Sequence, residues 1–195
     1  MFFLVPPMIA AQAAVPLKDI GIVLEALEGV SESLTDGKPA KQTKAISSAL
    51  AAWEKHKAAL VTNLSPADQV KLQGAFGALK SKSGIGAAEA ALDASDLLAA
   101  RLPADRNTRL GAADRACMRA WVRVEAARWE AVPDLHAAFK TFLDQDAKKY
   151  SLTLKKVETA LAAFHAGLSA QNATAAKTAA AQLLGLVDAL EKPAH

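Results

Sequence analysis

The sequence predicts an all-α fold, an up-and-down helical bundle of about six to eight helices. Three observations carry that reading. Apolar residues make up 52% of the chain and aromatics only 5%, and alanine supplies much of the apolar share; alanine is the best helix former and lets helices approach closely. Valine, isoleucine and tyrosine are too scarce for a substantial sheet. Apolar positions recur at alternating spacings of three and four, the period of one helix face, and the stripes are separated by proline, glycine, aspartate and asparagine in turn combinations.

Leu17, Ile20, Leu24, Leu27 and Leu34, with Val23 and Val30 beside them, form the first stripe, and Thr35-Asp36-Gly37-Lys38-Pro39 ends it. A second helix reaches about Val61 on Ile46, Leu50, Trp53 and Leu60, with His56 as a boundary residue. Ser65-Pro66 reads as an N-cap followed by proline at the first helical position, opening a helix through Leu72, Phe76 and Leu79. The stretch 80–86 reads as a linker, and its lone GxG, with no strand before it, is poor evidence for a phosphate loop. A fourth helix is expected from about Ala87 to Leu102, closed by Pro103.

The segment 101–134 follows. It holds all seven arginines (Arg101, Arg106, Arg109, Arg115, Arg119, Arg123 and Arg128), two of the three tryptophans and the only cysteine. At about 100° per residue, Leu110, Ala113, Cys117, Ala120, Trp121, Val124 and Ala131 share one broad face, while Met118, Val122 and Trp129 form a second strip. Only the sector of Arg115, Arg119 and Arg123 remains plainly polar. A helix apolar on most of its circumference belongs in the middle of a bundle. The same projection places Arg128 at the edge of the main apolar face, least exposed of the arginines, with Glu125 as its expected partner. Pro133 starts a new helix carrying Leu135, Phe139, Phe142 and Leu143. Leu154, Val157, Leu161, Phe164 and Leu168 make the next stripe, and Leu183, Leu184, Val187 and Leu190 the last. The expected hairpins are thus 17–61, 65–102, 104–148 and 152–192, within one domain spanning 14–195.

A shift of 137 positions lays 17–55 on 154–192 without a gap, so that Leu24 meets Leu161 and Leu50 meets Val187. Two alanine-rich hairpins in phase would match this way without common ancestry. The hairpins 17–59 and 154–192, with three-four leucine spacing, short polar turns (TDGKPAKQ and AQNATAAK) and alanine-rich return helices, each resemble a hairpin of the periplasmic four-helix-bundle b-type cytochromes. That resemblance implies a helical-bundle fold and export. In the family, haem is held by a methionine of the first helix and a histidine near the end of the last; here the first helix lacks methionine and the last carries no histidine before His195, so no haem is expected.

Residues 1–13 read as a secretory leader, with an apolar core from Phe2 to Ala10 and Ala11-Gln12-Ala13 as a small-x-small cleavage site, although no positive residue follows Met1. The expected location is bacterial periplasm or secreted, with no integral membrane segment in the mature chain. A net charge of +3 falls short of the basic face that nucleic-acid binding needs. One cysteine excludes an intrachain disulfide and a c-type haem attachment.

Catalytic patterns are missing: no HExxH, no ExxH pair, no nucleophile elbow, and His56, His136, His165 and His195 lie far apart. Neither cofactor nor metal is expected, and Cys117 reads as a small core residue. The main functional expectation is a binding or interaction protein. In it Arg128, Trp121, Trp129, Glu125, His136, Arg106 and Arg109 hold a small anion or an acidic protein surface, since arginine forks and tryptophan faces anchor both. The alternative is a purely structural bundle whose arginines pair with Glu89, Asp93, Asp96 and neighbouring carboxylates; a haem- or metal-binding bundle or an enzyme is a third reading.

Overall fold

The computed structural model describes residues 16–62, 64–145 and 147–191. The expected leader lies outside them, as does His195; the side chains of Arg106, Leu152, Glu191 and positions 141–149 are also outside the described set. Eight α-helices and no strand occur among the described residues: α1 Leu17–Thr35, α2 Pro39–Val61, α3 Pro66–Ser81, α4 Gly84–Ala99, α5 Arg106–Glu125, α6 Leu135–Gln145, α7 Ala147–Ser169 and α8 Ala173–Glu191. They run up and down, each against its predecessor. α1 closes on α4, and α5 closes on α8.

Two apolar cores result. One gathers Ile20, Val23, Leu27, Trp53, Leu72, Phe76 and Leu98 from α1–α4, with Trp53 and Phe76 stacked at 4.3 Å between ring centroids. The other gathers Leu110, Cys117, Phe139, Val157, Phe164, Leu183 and Val187 from α5–α8. A thin third patch, Ala88 and Leu92 of α4 with Met118 and Val122 of α5, bridges them. Most of the first strip read on the fifth helix therefore faces the α5–α8 core, while Met118 and Val122 of the second face α4 and Trp129, beyond the helix, packs on the α5–α8 core; α5 sits mid-bundle as its circumference demands.

Local chemistry fixes the ends. Ser65 Oγ accepts the Asp68 N–H at 3.1 Å, and Asp105 Oδ1 accepts the Thr108 N–H at 2.8 Å. That N–H, and then the Thr108 hydroxyl, hold Asp105 below the usual carboxylate range. The cap's contribution is accordingly present above the unfolded carboxylate value and lost as pH falls through the lowered one. The start of α4 differs from expectation. The helix begins at Gly84 rather than near Ala87, so the linker shrinks to Lys82 and Ser83. Ser83 supplies no cap. Instead the buried Gln42 of α2 accepts the Gly84 N–H at 2.6 Å and donates to the Gly84 carbonyl at 2.9 Å. A cap delivered from 42 residues away leaves no local sequence signal.

The fifth helix also ends sooner than the apolar pattern suggests. Ala127 adopts positive φ of 54°, the Arg128 N–H donates to the Arg123 carbonyl at 2.8 Å and the Ala127 N–H to the Val124 carbonyl at 3.0 Å. These two bonds close a Schellman-type end. Continuing the helix is blocked downstream, because Pro133 would clash with the carbonyl of Trp129. Gln171 ends α7 in the same way, with φ of 48°. α7 carries a non-helical residue, Tyr150, four positions before the first residue of its stripe, Leu154.

Under the 137-residue shift the buried stripes superpose, Ile20 on Val157 and Leu27 on Phe164, all fully covered. The turns do not: Gly37 would fall at Thr174, inside α8, while the observed turn lies near Gln171 and Asn172.

Two glycines make opposite predictions. A Cβ on Gly167 would lie 2.7 Å from the Ala176 backbone nitrogen, whereas one on Gly185 meets nothing within 4 Å. Gly167→Ala should cost about 2–3 kcal/mol through overpacking of α7 on α8, and Gly185→Ala should gain up to about 1 kcal/mol from helix propensity. Urea unfolding of the two variants measures both.

Candidate functional site

The chemistry-bearing residues concentrate where α4 meets α5. α4 presents Glu89, Asp93 and Asp96 at helical spacing, and α5 presents Arg115, Arg119 and Arg123 four residues apart. Positions three and four apart share one helix face, so antiparallel packing aligns the two rows. Arg115 Nε donates to Asp96 Oδ1 at 3.0 Å. Arg119 forks, its Nη1 reaching Asp93 at 2.9 Å and its Nη2 reaching Asp96 at 2.8 Å. Arg123 Nη1 lies 3.2 Å from Glu89 Oε1, and Arg128 Nη1 reaches the same oxygen at 2.8 Å.

Burial is uneven across this ladder. The Arg115 side chain is only 9% exposed, while Asp96 and Asp93 are 52% and 60% exposed. The arginines are therefore covered and the aspartates remain half in water. Guanidinium suits that role, being weakly hydrated and able to form two fixed hydrogen bonds to separate acceptors. Gly111 assists: a Cβ there would stand 3.3 Å from Arg115 Nη1, so its absence leaves room for the head group to fold back. Opposing effects act on Arg119. Burial, the largest, lowers its pKa, but the Asp96 and Asp93 carboxylates together raise it above the free value.

The expected site residues do not gather in one place. Arg128 is a correction: it is 48% exposed and its partner is Glu89, not Glu125. The angular projection failed because the helix it assumed stops at Glu125. The most covered of the described arginines is Arg115, from the sector read as plainly polar. Trp121 and Glu125 do come together, but around Lys177 of α8. The Lys177 ammonium sits 5.1 Å from the Trp121 ring centroid and donates to Glu125 Oε2 at 2.5 Å. The tryptophan face thus already holds a cation. Trp129 lies half-buried on a single 3-10 turn against the α5–α8 core. His136 is exposed, with its backbone N–H donating to Asp134 at the start of α6. Arg109 lies near the other end of α5, about 24 Å from Glu125 at helical rise; its Nε is buried without a hydrogen-bond partner. The Arg106 side chain falls outside the described set.

A cleft of about 410 Å³ at one end of the α4–α5 seam is lined by Trp121 and Glu125, with Lys38, Gln42 and Thr43 opposite. Its carboxylate opposes an anion. Elsewhere, His56 Nδ1 and Asp19 Oδ1 pair at 2.7 Å between α2 and α1, so His56 is a paired boundary residue. Cys117 is fully buried, and burial followed by Asp114 pushes its thiol up well beyond the ordinary range. Among the described residues no group of three His, Cys, Asp or Glu side chains gathers to hold a metal, and no helix is long and apolar enough to cross a membrane.

Two pairings escaped the sequence reading. Arg101 reaches Asp68 at the start of α3, at 2.5 Å, and Lys177 reaches Glu125; both join residues more than 30 apart with no local pattern. The ladder makes an asymmetric prediction. Asp96→Ala strands the covered Arg115 guanidinium and leaves Arg119 with Asp93 alone, and should cost about 2 kcal/mol, an amount already reduced for the water that reaches Asp96. Arg115→Met removes the charge itself and should stay within about 1 kcal/mol of wild type. Urea midpoints in the reverse order would contradict the assignment. Comparison with protein-family models, curated proteins and solved structures finds no match for this chain.

Proposed function

We propose that this chain is a non-catalytic helical scaffold, exported to the periplasm, in which the arginine segment joins two four-helix groups rather than receiving a ligand. One observation carries the reading. Of the six described arginine side chains, five (Arg101, Arg115, Arg119, Arg123 and Arg128) have a carboxylate of the chain itself within ion-pair distance. An arginine so engaged offers an incoming anion little, because the anion must displace an acceptor that is already in place. Export rests on the sequence of 1–13 alone, and the likeness to four-helix cytochromes extends in this proposal to helix patterning and compartment, without haem.

The competing reading is a small anion or acidic surface held by Arg128, Trp121, Trp129 and their neighbours; the one described arginine of its set outside those five, Arg109, has an unpartnered Nε but stands at the far end of α5. The two readings separate in a thermal-shift panel. The scaffold reading expects phosphate, acetate and succinate at millimolar concentration to move the melting midpoint no more than sodium chloride of equal ionic strength. A midpoint raised by one anion alone, and lost in Arg109→Met or Arg128→Met, overturns it. The same preparation, taken from periplasm, should begin near Ala14 on N-terminal sequencing; material beginning at Met1 removes the export proposal.

A further inference from the structure

With five of the six described arginine side chains engaged internally, cations that could meet a ligand beside apolar surface are sought elsewhere, and the outer face of the last hairpin provides them. A groove of about 600 Å³ runs between α7 and α8, floored by Ala160, Gly185 and Leu186 and bordered by Lys155, Lys156 and Gln182. That volume falls within the roughly 300–1,000 Å³ of small-molecule sites. No carboxylate lines it. The clefts on α1–α2, on α3–α4 and at both ends of the α4–α5 seam each carry at least one, such as Glu32, Asp93, Glu28 and Glu125. Lys155 and Lys156 are exposed; the Lys155 carbonyl accepts from the Thr159 hydroxyl, but neither ammonium group takes part in an ion pair or hydrogen bond among the described residues.

The floor owes its openness to Gly185. That residue stands inside an alanine-rich helix, has ordinary negative φ, and a Cβ built there meets nothing within 4 Å. Neither backbone strain nor close packing requires glycine at this point. What it does is leave the groove one side chain deeper next to the half-buried Leu186. The methylene stems of the two lysines extend the apolar wall while their ammonium groups stay at its rim. The groove covers only about two turns of each helix, which suits a flexible chain better than a partner helix.

We propose that this groove binds a free anionic amphiphile, an unbranched alkyl carboxylate, with its chain on Ala160, Gly185 and Leu186 and its carboxylate met by Lys155 and Lys156. The proposal is independent of the role given to the arginines. It rests on the coincidence of an apolar floor, two unengaged cations and no acid.

Titration calorimetry of the exported chain with monomeric dodecanoate tests it. Saturable one-to-one binding is expected, with dodecyltrimethylammonium binding at least about tenfold more weakly. Gly185→Phe fills the groove at a position with space for a side chain, and should abolish binding while circular dichroism and the melting midpoint stay near wild type. The pair Lys155→Glu and Lys156→Glu should weaken dodecanoate by about tenfold or more. The same charge change at Lys71 and Lys82, on the α3–α4 face, should leave it unchanged. Equal affinity for the two head groups, full binding by folded Gly185→Phe, or equal loss from the Lys71 and Lys82 reversal each overturn the proposal. So does absence of dodecanoate binding when the chain sediments with phosphatidylglycerol vesicles, which would make the face a membrane contact.

Discussion

The structure depends on covering guanidinium groups at the seam between α4 and α5. Each four-helix group closes on itself and buries its own apolar faces, Ile20, Leu27 and Phe76 in one, Phe139, Phe164 and Leu183 in the other. Little apolar surface is left to join them, only Ala88 and Leu92 against Met118 and Val122 with a few half-buried neighbours. Hydrophobic contact is non-directional and so small a patch tolerates sliding. The ladder does not, because a partial shift of α5 along α4 pulls Arg119 out of its fork between Asp93 and Asp96, and a full-turn shift leaves an arginine at one end of the row without its carboxylate. Buried ion pairs contribute little net stability, since desolvation offsets most of the attraction, but breaking one strands a charge. In this protein their effect is to fix register.

Much of the fold was legible because it follows from period and punctuation. Stripes at three and four residues, and the prolines and glycines between them, give about six to eight helices, against eight among the described residues, and the largely apolar circumference of the fifth foretells its central position. Where the reading failed, a contact distant in sequence or a weak local choice decided. Gln42 caps α4 from another helix. Ala127, an alanine with no turn signature of its own, takes positive φ and ends α5, which rotates Arg128 out of the face that projection assigned to it.

The candidate site was legible in composition but not in role. Confinement of every arginine to one segment correctly marked an unusual environment. Glu89, Asp93 and Asp96 at matching spacing on the preceding helix were the signal that the environment is an acidic helix face of the chain itself. The partners of Arg101 and Glu125, by contrast, come from elements whose approach no local pattern announces. Charge already paired leaves Trp121 and Glu125 around Lys177 with their main interactions satisfied from within, whereas the ammonium groups of the lysines over Ala160 and Leu186 have no carboxylate partner among the described residues.

The most direct test of the central claim is a double-mutant cycle at Glu89, whose side chain is 16% exposed, accepts from Arg128 and forms an ion pair with Arg123 at 3.2 Å. Unfolding free energies of Glu89→Gln, Arg123→Met and the double variant give the coupling between the two positions. If the ladder fixes the seam, the two single losses fail to add by about 1–2 kcal/mol. Losses additive within about 0.5 kcal/mol would show that these groups act independently, and the seam would then have to be held by its apolar patch alone.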